Sequence, residues 1–217
     1  MSRERRREVS GRRDLGHYIS RLSWGDTPFS VAPYVPTPIN VVKKMLKLVD
    51  AGPDDIVYDL GCGDGRILLT AVEEFDVKKA VGYDLNPSMC DSVQLKIEKK
   101  ELEDRIEVVN GNFFLADITP ASVITLYLTT SGNSKLRPKL ADELGAGSRV
   151  VSHDFPIHGW STRKGDDPDH YQLGSHKIFV YSVPDAYERK ATVQRSAKEE
   201  SRWRRLRELF LRREGRR

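Results

Sequence analysis

Apolar positions along this chain change their period several times, and each change marks an element. Ile39, Val42, Met45, Leu46 and Val49 recur at three- and four-residue steps, the repeat of a one-sided helix. Thr37 and Pro38 precede them in the order of a cap and a first helical residue. Ile56–Val57–Tyr58 is a short β-branched and aromatic run that leads into three glycines at alternate positions, 61, 63 and 65. Helical spacing then returns with Ile67, Leu68, Ala71, Val72 and Phe75. Lys79–Asp84 reads as a second strand, Asn86–Pro87 as the cap and start of a helix to about Lys100, and Arg105–Val109 as a third strand. Ala121–Leu128 is apolar throughout, as a central parallel strand should be. A short helix is predicted from Asn133 or Ser134, with Leu136, Leu140 and Leu144 on one face and Gly145 and Gly147 at its end. Arg149–His153 reads as a fifth strand, and Tyr171–Leu173 with Lys177–Val183 as an antiparallel pair around Gly174–Ser175. Strands that alternate with helices and then close in a hairpin predict an α/β, Rossmann-like, doubly wound sheet with a C-terminal antiparallel hairpin.

The glycine turn carries the first chemical signal. Gly61 and Gly63 let the backbone approach a ligand that a Cβ would block, and the following helix presents free N–H groups. The dinucleotide fingerprint G-x-G-x-x-G is not matched, because the third glycine comes one position early at Gly65 and Arg66 stands in its place. Asp59 and Asp64 flank the turn, where a pyrophosphate would be repelled and a cation welcomed. S-adenosylmethionine, with its sulfonium and α-ammonium groups, suits such a turn. Asp84, at the end of the next strand, is placed to accept both ribose hydroxyls, a step shared with NAD sites.

Charge divides the chain. Residues 31–185 hold seventeen basic and twenty-three acidic residues, a net of −6; residues 1–30 hold seven and four, and residues 186–217 twelve and five. The expected division is a basic, flexible segment 1–30, a methyltransferase domain 31–184 and a basic helical extension 185–217. In that extension Trp203, Leu206, Leu209 and Phe210 recur on one face. Such a face can dock on the body, meet RNA or join another chain. No signal peptide or membrane-length apolar run is present, and Cys62 and Cys90 suggest neither a disulfide framework nor a metal site. The expected location is the cytoplasm.

Several phrases combine: Tyr34-Val-Pro-Thr-Pro38, Asp59-Leu-Gly-Cys-Gly-Asp-Gly-Arg66, Asp84-Leu-Asn-Pro87, Thr125-Leu-Tyr-Leu128, Pro138-Lys-Leu140 and Val150-Val-Ser-His-Asp-Phe-Pro156. Over residues 31–183 the chain resembles the small class I protein-lysine methyltransferases of archaea. Those are similar to the eukaryotic enzymes acting on the ATP synthase c subunit and the adenine nucleotide translocase. The resemblance implies a seven-stranded class I methyltransferase sheet, S-adenosylmethionine as cofactor and protein lysines as acceptors. Candidate cofactor contacts are Tyr34, Thr37, Asp59, Gly61, Gly63, Asp84 and Thr125, with Asn112 and Phe113 at the adenine. Asn112 stands where an aspartate is common in class I enzymes. For Tyr34 and Thr37 a packed aromatic and a helix cap are the plain alternatives; for Asn112–Phe113 it is a surface turn.

A lysine ε-amine must lose a proton before it attacks a methyl carbon, at a cost of about 4–5 kcal/mol at pH 7. Alignment, an aromatic wall and an acceptor for that proton are what a site must supply. Tyr127 and Asp154, at strand carboxyl ends, are the candidate catalytic residues, with Trp160 a further aromatic. The alternatives are a buried tyrosine hydrogen-bonded to backbone and a strand-end pair of His153 with Asp154. Two other functions stand beside lysine methylation: RNA methylation, suggested by the basic tails, and a nucleic-acid-associated binding module that keeps the fold. No Asn-Pro-Pro-Tyr or Asp-Pro-Pro-Tyr motif follows the fourth strand, which counts against base-amine methylation.

Overall fold

The computed structural model describes residues 34–187. Its elements are α1 (Ile39–Leu48), β1 (Ile56–Leu60), α2 (Arg66–Phe75), β2 (Lys79–Asp84), α3 (Pro87–Lys99), β3 (Ile106–Asn110), β4 (Val123–Leu126), α4 (Thr130–Glu143), β5 (Arg149–His153), β6 (Tyr171–Leu173) and β7 (His176–Ser182). The strands form one seven-stranded sheet in the order β3-β2-β1-β4-β5-β7-β6. β1 to β5 run parallel, and β7 enters antiparallel between β5 and β6. This is the doubly wound sheet with a closing hairpin that the hydrophobic pattern predicts.

Alternate strand residues feed two cores, one on each face. Val57, Ala80, Val123, Val151 and Val180 face Val42, Met45, Leu46, Leu68, Val93 and Ile97 of α1, α2 and α3. Tyr58, Val81, Ile124, Val150 and Tyr181 face Leu136 and Leu140 of α4 on the other side. Burial on both faces is why these strands read as nearly continuous apolar runs. The winding reverses between β1 and β4, and open α/β sheets bind ligands outside the strand carboxyl ends at such a switch point.

Three local features differ from the sequence expectation. The Thr37 side chain does not cap α1; the helix follows Pro38, and the Thr37 hydroxyl reaches His153 instead. β4 is only four residues long, so Tyr127 and Leu128 lie beyond it, on the connection to α4. α4 begins at Thr130, earlier than its leucine repeat, because the Thr129 hydroxyl accepts the Gly132 N–H at 3.2 Å and caps it there. The leucine spacing marks only the part of that helix that meets the core.

Candidate active site

The turn after β1 is built by backbone conformations that glycine tolerates. Gly63 has φ +52°, and a Cβ there would lie 2.6 Å from Cε2 of Tyr34. Gly65 has φ +77°, and a Cβ would meet Cγ1 of Val93 at 2.7 Å. The N–H groups of Gly61 and Cys62 both donate to the Tyr83 carbonyl, at 2.9 and 3.0 Å. The Gly63 N–H donates to Oδ2 of Asp84 at 2.9 Å, and Asn86 N–H donates to Oδ1 at the same distance. Each Asp84 oxygen therefore holds one backbone donor and keeps acceptor capacity for another.

The two acids of the turn part company. Asp64 takes the Nε and Nη2 groups of Arg66 at 2.9 and 2.7 Å, and those hydrogen bonds hold its carboxyl below the usual carboxylate range. Asp64 is therefore a partner for Arg66, which corrects the expectation that it offers free negative charge to a ligand. Arg66 also donates to the Thr37 carbonyl at 2.9 Å and so ties the approach segment to the turn. Asp59 is buried, with a 2.7 Å hydrogen bond from the Thr125 hydroxyl. Burial pushes its carboxyl up to about 7; the Thr125 bond opposes this, and the nearby Asp84 and Asp64 charges add to it. An acid under this strain is complementary to a cation placed beside it.

A second cluster lies at the ends of β4, β5 and β7, joined to the turn through Thr37. The Thr37 hydroxyl is 3.1 Å from Nδ1 of His153, a residue with no exposed surface. Nε2 of His153 lies 2.9 Å from Nδ1 of His176, and Oδ2 of Asp154 lies 3.2 Å from the first and 3.3 Å from the second. Oδ1 of Asp154 accepts the Lys177 N–H at 2.8 Å, and Asp154 sits at φ +58°, a conformation rare for a residue with a Cβ. The Tyr127 ring packs on His153 tilted by 38°, 3.9 Å between centroids, and its hydroxyl points at Oδ2 of Asp154 from 3.5 Å. Burial, then the Asp154 charge, raises the Tyr127 pKa, so the phenol stays protonated as a donor. Desolvation drives His153 down to about 4, with His176 lowering it further and Asp154 pulling it back, so the ring is neutral at physiological pH.

Tyr127 and Asp154 thus share one cluster, and Thr37 links it to the turn that carries Asp59, Gly61, Gly63 and Asp84. Trp160 is buried against Tyr181 and Tyr187, with ring centroids 5.7 Å from each, and lines one cavity with Asp154. The aromatic near Tyr127 is Phe155 at 6.2 Å, and Asn133 of α4 holds its carbonyl through a 2.9 Å hydrogen bond. Phe113 is also buried and packs on Phe114, while Oδ1 of Asn112 accepts the Phe114 N–H at 3.0 Å, leaving the Asn112 amide to donate. Tyr34 is half-exposed over Gly63. His176 and Arg66 were not singled out from sequence. Their only signal there was position: one opens the last strand, and the other follows the third glycine.

Known proteins match this chain over the same region. The family described as "ANTKMT methyltransferase domain" matches residues 59–164. A protein-lysine N-methyltransferase of Saccharolobus islandicus (strain REY15A) is 46% identical over 151 residues, 70% of this chain and 93% of that protein. An adenine nucleotide translocase lysine N-methyltransferase of Mus musculus is 31% identical over 59% of this chain, which spans 55% of the mouse protein. Among solved structures, an RNA methyltransferase from Salinibacter ruber in complex with S-adenosyl-L-homocysteine is 36% identical with a TM-score of 0.65. The match covers 70% of this chain and 95% of that one.

Proposed function

The chain belongs to the protein-lysine N-methyltransferase family, and on that premise we propose that it methylates lysine ε-amines of proteins. The observation that carries the reading is the 46% identity to a protein-lysine N-methyltransferase across nearly all of that enzyme's length. The cofactor is S-adenosylmethionine, which supplies an electrophilic methyl group on a sulfonium. The residues present fit it. Asp59 is a buried carboxylate short of compensating charge, suited to the methionyl ammonium, and Thr125 orients it. Asp84 keeps acceptor capacity for the ribose hydroxyls. Gly61 and Gly63 allow close backbone approach, Tyr34 and Thr37 wall the mouth, and Asn112 and Phe113 are assigned to the adenine. Tyr127 and Asp154 are assigned to the acceptor amine, the phenol as a wall and donor and the carboxylate as an acceptor.

RNA methylation remains a second reading because one solved relative is an RNA methyltransferase. Against it, residues 31–185 carry a net charge of −6, and phosphate backbones are held by positive charge. The basic tails, the Trp203 to Phe210 face among them, lie outside the described residues; nucleic-acid contact through them is proposed on charge alone. Two unpaired thiols, Cys62 and Cys90, support a reducing compartment, and we place the protein in the cytoplasm. Among the described residues no helix is long and apolar enough to cross a membrane. Incubation of cell extract with methyl-labelled S-adenosylmethionine, followed by separate protease and nuclease digestion, tests the substrate class. Label released by protease alone supports protein methylation, and label released by nuclease alone refutes it.

A further inference from the structure

On the reading that a lysine amine is the acceptor, we propose that His176 carries away the proton this amine must lose, receiving it through Asp154. The carboxylate is fixed for the role. One oxygen is held by the Lys177 N–H, and the other faces Tyr127, His153 and His176 together. The left-handed backbone at Asp154 keeps that second oxygen turned toward the two rings.

His153, Asp154 and His176 also have the composition of a metal site, and the distances decide between the two uses. Ligand atoms about 2.0–2.1 Å from a tetrahedral zinc lie about 3.3–3.4 Å apart. The two nitrogen–carboxylate distances, 3.2 and 3.3 Å, would suit such an edge, but the imidazole nitrogens are 2.9 Å apart, shorter than the edge and normal for one shared proton.

The two rings are not equivalent. His153 is fully buried and its ring cannot release a proton to water, whereas the His176 side chain is 29% exposed. Thr37 completes the arrangement. Its hydroxyl can accept from an Nδ1–H of His153, the tautomer that leaves Nε2 of that ring an acceptor for a proton on Nδ1 of His176. The ammonium N–H bond breaks, its electron pair stays on nitrogen, and the proton passes to Oδ2 of Asp154. It continues to Nδ1 of His176, the imidazolium releases its Nε2 proton to water, and exchange with water at this partly exposed ring returns the remaining proton from Nδ1 to Nε2 before the next turnover. The freed lone pair then forms the N–C bond to the methyl carbon while the C–S pair departs with sulfur, leaving a methylammonium product. The groups that face His176 are Asp154 and His153 at the end of β5, Tyr127 beyond β4 through Asp154, and Leu173, its uncharged cross-strand neighbour on β6.

His176→Asn keeps a hydrogen-bonding group near the Nδ1 position and cannot titrate near neutrality. The test compares it with the wild type, full-length, on the total soluble protein of a host lacking the enzyme, from pH 6 to 9.5. Lysine methylation is read by mass spectrometry and cofactor affinity by calorimetry. The expected result is a kcat about tenfold or more below wild type at pH 7. That deficit should close as the pH rises and the amine deprotonates unaided, with cofactor affinity unchanged within twofold. A deficit of the same size at every pH would mean His176 only props the hairpin, and would overturn the proposal. So would activity lost to a chelator and restored by zinc. Nitrogen NMR of the wild-type rings gives an answer without turnover: His153 should carry its proton on Nδ1, and a proton held on its Nε2, which would occupy Nδ1 of His176, overturns the relay. Methylation of RNA and not lysine by the wild type would remove the functional reading itself. Lysine methylation with parallel pH profiles removes only the relay.

Discussion

Asp59 is held in the folded protein at a cost that a ligand can repay. Its folded pKa, about 7, lies above the ordinary value of 3.8, so the folded chain binds more protons than the unfolded chain between those limits. Ligand-free stability contributed by this group therefore falls as the pH rises from about 4 to 7. Asp59→Asn removes the buried charge. Its melting temperature should exceed wild type by a few degrees at pH 7.5 and match it near pH 4, while cofactor affinity drops at least tenfold. Wild-type affinity should weaken on acidification below pH 7, and the variant should lose that dependence. Calorimetry and thermal melts over the pH series check both. Asp84→Ala should behave differently: it weakens the cofactor by roughly 1.5–3 kcal/mol per lost hydrogen bond with no gain in stability, because Gly63 and Asn86 lose their acceptor. At this scale the strand-end positions of Asp59, Asp84 and Thr125 were legible because strand ends can be located from apolar runs. Arg66 and His176 were not, since their roles depend on partners distant in sequence: Thr37 for one, His153 and Asp154 for the other.

The turn from β1 into α2 is the element on which the site depends, and Gly65 is where it packs against the buried Val93. A side chain there needs a positive φ and meets both methyls of Val93, at 2.7 and 2.9 Å, inside the core. Gly65→Ala should destabilise the fold by about 2–4 kcal/mol, as strain and overpacking add. In the Gly65→Ala/Val93→Ala double variant the alanine at 65 should cost only its φ strain of about 1 kcal/mol relative to Val93→Ala alone. Denaturant melts separate the two parts, and a neutral Gly65→Ala would contradict the packing described. Strand and helix positions were mostly readable, because burial on both faces makes the apolar pattern strong. The start of α4 was not, because its first turn is polar and its cap, Thr129, precedes the leucine repeat. The burial of Trp160 against Tyr181 was not readable from its place after β5, because it depends on a contact with β7.

Contacts with the body of the molecule continue past Pro184 among the described residues. Ala186 is buried, its carbonyl accepts the Ser161 N–H at 2.7 Å, and Tyr187 packs on Trp160. A fragment of residues 34–187 should bind the cofactor like the full chain, whereas one ending at Pro184 should melt several degrees lower. Equal melting of the two fragments would show that these contacts add nothing to stability. The central claim, that this acidic body methylates lysine nitrogen, is tested most directly by fragmentation mass spectrometry of protein products made with deuterated-methyl S-adenosylmethionine. The account predicts the heavy methyl group on lysine side chains, lost in the Asp154→Asn protein. A heavy methyl on nucleotides, or on protein residues other than lysine, would contradict it.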